Sequence, residues 1–121
     1  MAKIVFDIRI ADKIEKVYDD LDTNVPTGIS VFQAAMDEIP DGCYIIGQVA
    51  VCQTNAEDVP VSSVILVKPS HPDLIRHPVN YHQEWNDKGS GGAKNGSFWR
   101  VNTPNGYVAL GDVVTNSYLQ P

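Results

Sequence analysis

The chain has 121 residues and a mass of 13.3 kDa, with 9 Lys+Arg against 15 Asp+Glu, giving a formal charge of −6 and an isoelectric point near 4.8. Size scaling gives a chain of this length one core that buries about two-thirds of its extended surface, so residues 1–121 are expected to form a single domain rather than two. The nine basic residues are scattered singly, which argues against nucleic acid as a partner, because neutralising a phosphate backbone needs clustered Lys and Arg.

The N-terminal segment, residues 1–10, has its apolar residues broken by Lys3, Asp7 and Arg9, and residues 4–10 read as a strand rather than a signal peptide. No stretch approaches the ~18 apolar residues of a membrane span, so no transmembrane segment is expected. These features point to a cytoplasmic protein, with release by a route that needs no signal as the alternative. Cys43 and Cys52 lie along one apolar run. If that run is a continuous strand they stand about 30 Å apart, beyond the reach of a disulfide, and both read as free thiols; a sharp bend at Gly47 would bring them together.

From Val17 onward the chain repeats itself. Val17-Tyr18-Asp19-Asp20 aligns with Glu84-Trp85-Asn86-Asp87, and Ser30-Val31-Phe32-Gln33 with Ser97-Phe98-Trp99-Arg100. The turn and strand over residues 40–49, opening on Pro40-Asp41-Gly42, align with residues 104–113, opening on Pro104-Asn105-Gly106. The two repeats run from about 17–52 and about 84–121. Each reads as an aromatic strand, a polar loop, a second aromatic strand, a Pro-x-Gly turn and an apolar strand with Gly47 or Gly111 inside it. Such punctuation is all-β. A helix over residues 30–39 is the competing reading, with Val31, Phe32, Ala35 and Ile39 on one face, but the matching segment 97–103 is too short to support it. Between the repeats, residues 59–67 supply another strand, after which Pro69, Pro72 and Pro78 interrupt regular structure.

The run Trp85-Asn86-Asp87-Lys88-Gly89-Ser90-Gly91-Gly92, the strand Gly96-Ser97-Phe98-Trp99-Arg100 and the segment Pro104-Asn105-Gly106-Tyr107-Val108-Ala109-Leu110-Gly111-Asp112-Val113 together resemble the vacuolar-protein-sorting-associated 62-like family. The resemblance is dense over residues 85–113, and the first repeat is a diverged copy that keeps Asp20, Phe32, Pro40, Gly42 and Gly47. It implies a β-prism-like domain of three sheets, related in shape to plant lectin domains and to domains appended to pore-forming proteins. With two repeats supplying two sheets, the third is expected from residues 4–10 with residues 59–67.

The two equivalent loops carry the candidate site. Tyr18, Asp20, Asp22 and Asn24 form one cluster, and Trp85, Asn86, Asp87, Gly89 and Ser90 the other. Carboxylates and amides on glycine-rich backbone can hydrogen-bond sugar hydroxyls or ligate Ca²⁺, although the Asp-x-Asp-x-Asp-Gly spacing of a Ca²⁺ loop is missing, and the same residue types also serve simply as turn formers. Phe98 and Trp99 are adjacent and must face opposite sides of their strand. An outward Trp beside Asp and Asn is what stacking on a sugar would use. His71, His77 and His82 fall in the proline-rich connector with no ligand-like spacing. No nucleophile elbow, zinc-protease motif, phosphate loop or dinucleotide fingerprint occurs, so no catalytic residue is expected. The residues therefore favour a non-enzymatic, lectin-like module for glycans or a cell-surface ligand. The alternative is a membrane-directed toxin or defence protein, or the targeting domain of a pore-forming system. Self-association into a homo-oligomer through edge strands is a further expectation.

Overall fold

The structure, a computed structural model, describes residues 3–23, 28–52 and 64–121. Asn24 and residues 59–63 of the expected central strand lie outside them. The described residues are all-β, with nine strands in three antiparallel three-stranded sheets. Strands β1 (Phe6–Ile10), β6 (Ile65–Pro69) and β4 (Tyr44–Ile45) form the first sheet, in the order β1-β6-β4. The second is β2 (Ile14–Asp19), β3 (Ser30–Ala34) and β5 (Val49–Val51). The third is β7 (Asn80–Asn86), β8 (Ser97–Asn102) and β9 (Val113–Thr115). The pairing of the N-terminal strand with the strand between the repeats is present, with Ile8 opposite Val67 and Ile10 opposite Ile65. Residues 30–39 make a strand followed by a single 3-10 turn at Met36–Glu38.

The second and third sheets share their register. Tyr18 faces Val31 and Asp19 faces Ser30, as Trp85 faces Phe98 and Asn86 faces Ser97. A register shift between Lys16 and Tyr18 has its counterpart between Gln83 and Trp85. The third strands agree as well, Ser30 pairing with Val51 and Ser97 with Thr115. Backbone hydrogen bonding is satisfied in the same way twice because the same aromatic, acidic and serine positions recur.

Equivalence stops at the apolar segments. Tyr44–Ile45 pairs with β6, whereas residues 107–111, expected as a strand, carry none. Val108 and Leu110 are accordingly 81% and 73% exposed. The physical reason is the partner: β6 is contributed once, and the second repeat has no such strand beside it among the described residues. Gly47 and Gly111 likewise fall between strands rather than inside them. Pro69 is the last residue of β6 and closes it, as expected.

The core joins the first two sheets. Ala34, Cys43, Val64 and Leu66 are buried together, with Ile14, Ile39, Ile45 and Val49 packed against them. Tyr18, Val31, Phe32 and Trp99 are also buried. Between the second and third sheets the Gln48 amide imitates a backbone partner, donating to Val114 O at 2.9 Å and accepting from Val114 N at 2.9 Å. Cys43 is buried and Cys52 exposed, and both are free. Several large apolar side chains stand in solvent, among them Ile8, Ile10, Val108 and Leu110.

Candidate functional site

The loops that leave β2 and β7 are built alike. Asp20 and Ile29 exchange a bond from Asp20 N to Ile29 O at 3.3 Å and one from Ile29 N to Asp20 Oδ1 at 2.9 Å. In the second loop Asp87 N donates to Gly96 O at 3.1 Å and Gly96 N donates to Asp87 Oδ1 at 3.0 Å. Each aspartate thus clasps the far end of its own loop, a use of the short carboxylate that turn chemistry favours. One residue earlier, Leu21 N donates to Asp19 Oδ1 and Lys88 N to Asn86 Oδ1, both at 3.1 Å. Each loop then passes through a left-handed residue, Asp22 at φ 69° and Gly89 at φ 80°. Aspartate and glycine are among the residues that tolerate this region.

The two loops are also joined to each other. Tyr18, 1% exposed, donates its hydroxyl to Asp87 Oδ2 at 3.3 Å, while Tyr118 donates to Asp87 Oδ1 at 2.7 Å. With Gly96 N–H, three protein donors converge on one buried carboxylate. Gly96 is required by the contact: a Cβ there would stand 2.3 Å from the Tyr18 ring. Ala93 N donates to Leu21 O at 2.9 Å, and Lys94 Nζ lies 2.8 Å from Asp19 Oδ2. Lys16 approaches the same oxygen at 3.3 Å.

These contacts displace the acid–base properties of the groups. Burial is the largest influence on the Tyr18 phenol and raises its pKa, and the Asp87 charge and hydrogen bond raise it further. Burial also pushes Asp19 up. The hydrogen bonds from Lys94, the Leu21 amide and Lys16 outweigh it, so the carboxyl lies below its ordinary value. Tyr118 is raised chiefly by its hydrogen bond to Asp87.

The described residues of both candidate clusters therefore come together, but with divided roles. Tyr18 and Asp87 were expected to meet a ligand; both are buried and hydrogen-bonded within the protein, because the loops pack across them. Asp20 is half-buried and clasps its loop. Asn86 donates to Gln83 Oε1 at 3.0 Å and accepts from Lys88 N, and Ser90 Oγ accepts from Gly92 N at 3.1 Å. Trp85, Asp22 and Gly89 face solvent. Trp85 is 45% exposed, its ring in T-shaped contact with Phe98 at 5.1 Å and Tyr18 at 6.4 Å. Trp99 is the inward residue of its pair, donating its indole N–H to Ser97 Oγ at 2.7 Å.

Lys94 and Tyr118 are the members that sequence reasoning missed. Lys94 had a signal, as the single cation between a glycine run and Asn95-Gly96. Tyr118 lies far along the chain, and no local pattern ties it to Asp87. Among the described residues no group of three or more His, Cys, Asp or Glu is placed to hold a metal ion. No helix among them is long and apolar enough to cross a membrane.

Residues 3–121 match the model of the family described as vacuolar protein sorting-associated protein 62. The chain belongs to that family. The match takes in both aspartate loops and the strands of all three sheets. No curated protein matches the chain. Among solved structures it is similar to GNIP1Aa from Chromobacterium piscinae, with a TM-score of 0.76 and 26% sequence identity. The likeness covers 97% of this chain and 22% of GNIP1Aa, so the family domain described here spans less than a quarter of that longer protein.

Proposed function

We propose that the twin-loop end of this family domain is a non-enzymatic, lectin-like recognition surface for hydroxyl-rich glycans. The observation that carries the reading is Trp85, a large ring 45% exposed on backbone fixed by two aspartate clasps. An aromatic face presented rigidly binds the apolar face of a sugar at low entropic cost. Asp22, Lys88 and Gly89, exposed on the same loops, add polar groups at its rim. Two clefts elsewhere, lined in part by Arg9 and Lys13 and by Arg76 and Tyr107, measure about 210 and 140 Å³. Both are smaller than the ~300 Å³ at which small-molecule pockets begin. A glycan array, run with Ca²⁺ and with chelator, tests the reading. Selective binding that Trp85→Ala removes supports it, and an absence of binding in both conditions overturns it.

A second reading is that the domain serves as the targeting part of a membrane-directed toxin or defence system. What favours it is the coverage of GNIP1Aa: nearly all of this chain corresponds to 22% of a much longer protein. Vesicle experiments separate the two. Leakage of dye from liposomes supports membrane action, whereas glycan binding without leakage supports recognition alone.

A further inference from the structure

Strand β1 is the edge of its sheet, and every residue in it is exposed. Its open side can be read from the ladder. Ala11 N donates to Val64 O and Ser70 N donates to Val5 O, both at 2.8 Å, so the odd-numbered residues turn their backbone groups toward β6. By the alternation of an antiparallel ladder, Phe6, Ile8 and Ile10 then point theirs away from the sheet. Among the described residues nothing pairs with that side. The same three side chains share one face, where Ile8 and Ile10 are 65% and 66% exposed and Phe6 45%, beside Ile65 at 39% and Tyr44 at 41%. A free ladder edge with this apolar content is a template for another strand.

The sequence of the edge identifies which strand fits. Phe6-Asp7-Ile8-Arg9-Ile10 is complementary to itself when run antiparallel about Ile8. Ile8 then faces its own copy, Phe6 faces Ile10, and Asp7 faces Arg9 on both sides of the two-fold axis. Shifting the axis to Phe6 sets Asp7 against Val5, and shifting it to Ile10 sets Arg9 against Ala11; neither sets the strand's own two charges, Asp7 and Arg9, against each other. Asp7 and Arg9 are unburied, with side chains 60% and 49% exposed and 3.4 Å apart within one strand, so both are free to turn across the axis. The outward backbone groups fall on Phe6, Ile8 and Ile10, the positions that this register makes hydrogen-bonded pairs. Asp7 and Arg9 fall on the alternate positions, where facing side chains come closest.

We propose that β1 pairs with β1 of a second copy, antiparallel about Ile8, joining two three-stranded sheets into one of six. Isologous contact of this kind closes on itself and stops at the dimer. Its strength lies in ladder hydrogen bonds, apolar neighbours and two symmetric Asp7–Arg9 contacts. The inference is independent of the glycan reading.

Sedimentation equilibrium of the full chain, from micromolar to submillimolar concentration, tests it together with three variants. The expected result is a concentration-dependent approach to twice the 13.3 kDa chain mass. Ile8→Pro removes an outward N–H that β6 does not use, and is expected to hold the protein monomeric with its unfolding transition retained. Asp7→Arg sets like charges opposite each other and is expected to weaken the dimer about tenfold. Adding Arg9→Asp restores opposite charges and is expected to recover the wild-type Kd to within about threefold. A monomer throughout the range overturns the proposal. So does a dimer indifferent to Asp7→Arg, or an Asp7→Arg defect that Arg9→Asp fails to repair, since either places the contact elsewhere.

Discussion

The Tyr18 hydroxyl donates to Asp87 Oδ2 across 3.3 Å, so a residue of the first repeat is bonded to the clasp of the second. This bond makes the two loops one structure. Asp87 receives Gly96 N–H and the Tyr118 hydroxyl as well, and removing its carboxylate takes that acceptor from all three donors.

Asp87→Ala is therefore expected to destabilise the protein by about 2–4 kcal/mol, since each orphaned buried donor costs about 1–3 kcal/mol and the exposed part of Tyr118 recovers water. Urea unfolding followed by circular dichroism measures it. Asp22→Gly, exposed and compatible with the positive φ, serves as the control and is expected to stay within about 0.5 kcal/mol of wild type. Equal midpoints for Asp87→Ala and wild type would show that the carboxylate is dispensable.

The two loop glycines separate in their demands. Gly96→Ala drives a Cβ to 2.3 Å from the Tyr18 ring and is expected to cost about 1–3 kcal/mol through displacement of packed groups. Gly89→Ala meets no atom within 4 Å, and its cost is the backbone strain of a positive φ, about 1–2 kcal/mol. Unfolding midpoints alone do not distinguish two costs of this size. Two-dimensional NMR does: Gly96→Ala is expected to shift the Tyr18 ring resonances, and Gly89→Ala to leave them in place.

Asp19 provides a pH signature. Its carboxyl lies below the ordinary value because Lys94, Leu21 N–H and Lys16 together outweigh the upward push of burial. A depressed folded pKa means that the stabilisation is complete above the unfolded value of about 3.9 and is lost as pH falls through the folded pKa. Lys94→Met removes one of the two cations, so the stability gap between wild type and variant is expected to be constant from about pH 5 to 7 and to close in acid. Chemical unfolding at a series of pH values checks it. A gap that persists below the folded pKa would assign the Lys94 effect to packing instead.

The tryptophans report the site optically. Trp99 is 8% exposed and Trp85 45%, so iodide is expected to quench part of the wild-type emission readily and part poorly. Trp85→Phe should leave only the shielded, blue-shifted component, and a glycan bound on the loops should protect the wild-type accessible fraction. Ready quenching of the Trp85→Phe variant would place Trp99 in solvent.

Much of this architecture is legible in the amino-acid sequence, because strand alternation, turn residues and loop clasps are local demands of the backbone. The Tyr18 and Trp85 segments announce equal strands, and the structure gives them equal register and equal bulges. The pairing of residues 4–10 with the strand between the repeats is also legible there, once two repeats are assigned a sheet each. Burial was decided by tertiary structure alone. Tyr18 and Trp85 occupy matching positions, yet one is 1% and the other 45% exposed, because Gly96 closes over the Tyr18 ring while the indole of Trp85, in T-shaped contact with Phe98 and Tyr18, stays partly in solvent. Asp20 and Asp87 make the same clasp, and Asp87 is sealed in addition by two tyrosines from distant parts of the chain. Residues 107–111 carry the same apolar pattern as residues 43–47 and pair with no strand among the described residues, because a strand needs a partner and β6 is supplied once. Local chemistry sets what each segment can form, and long-range contact sets which of its groups remain available to a ligand.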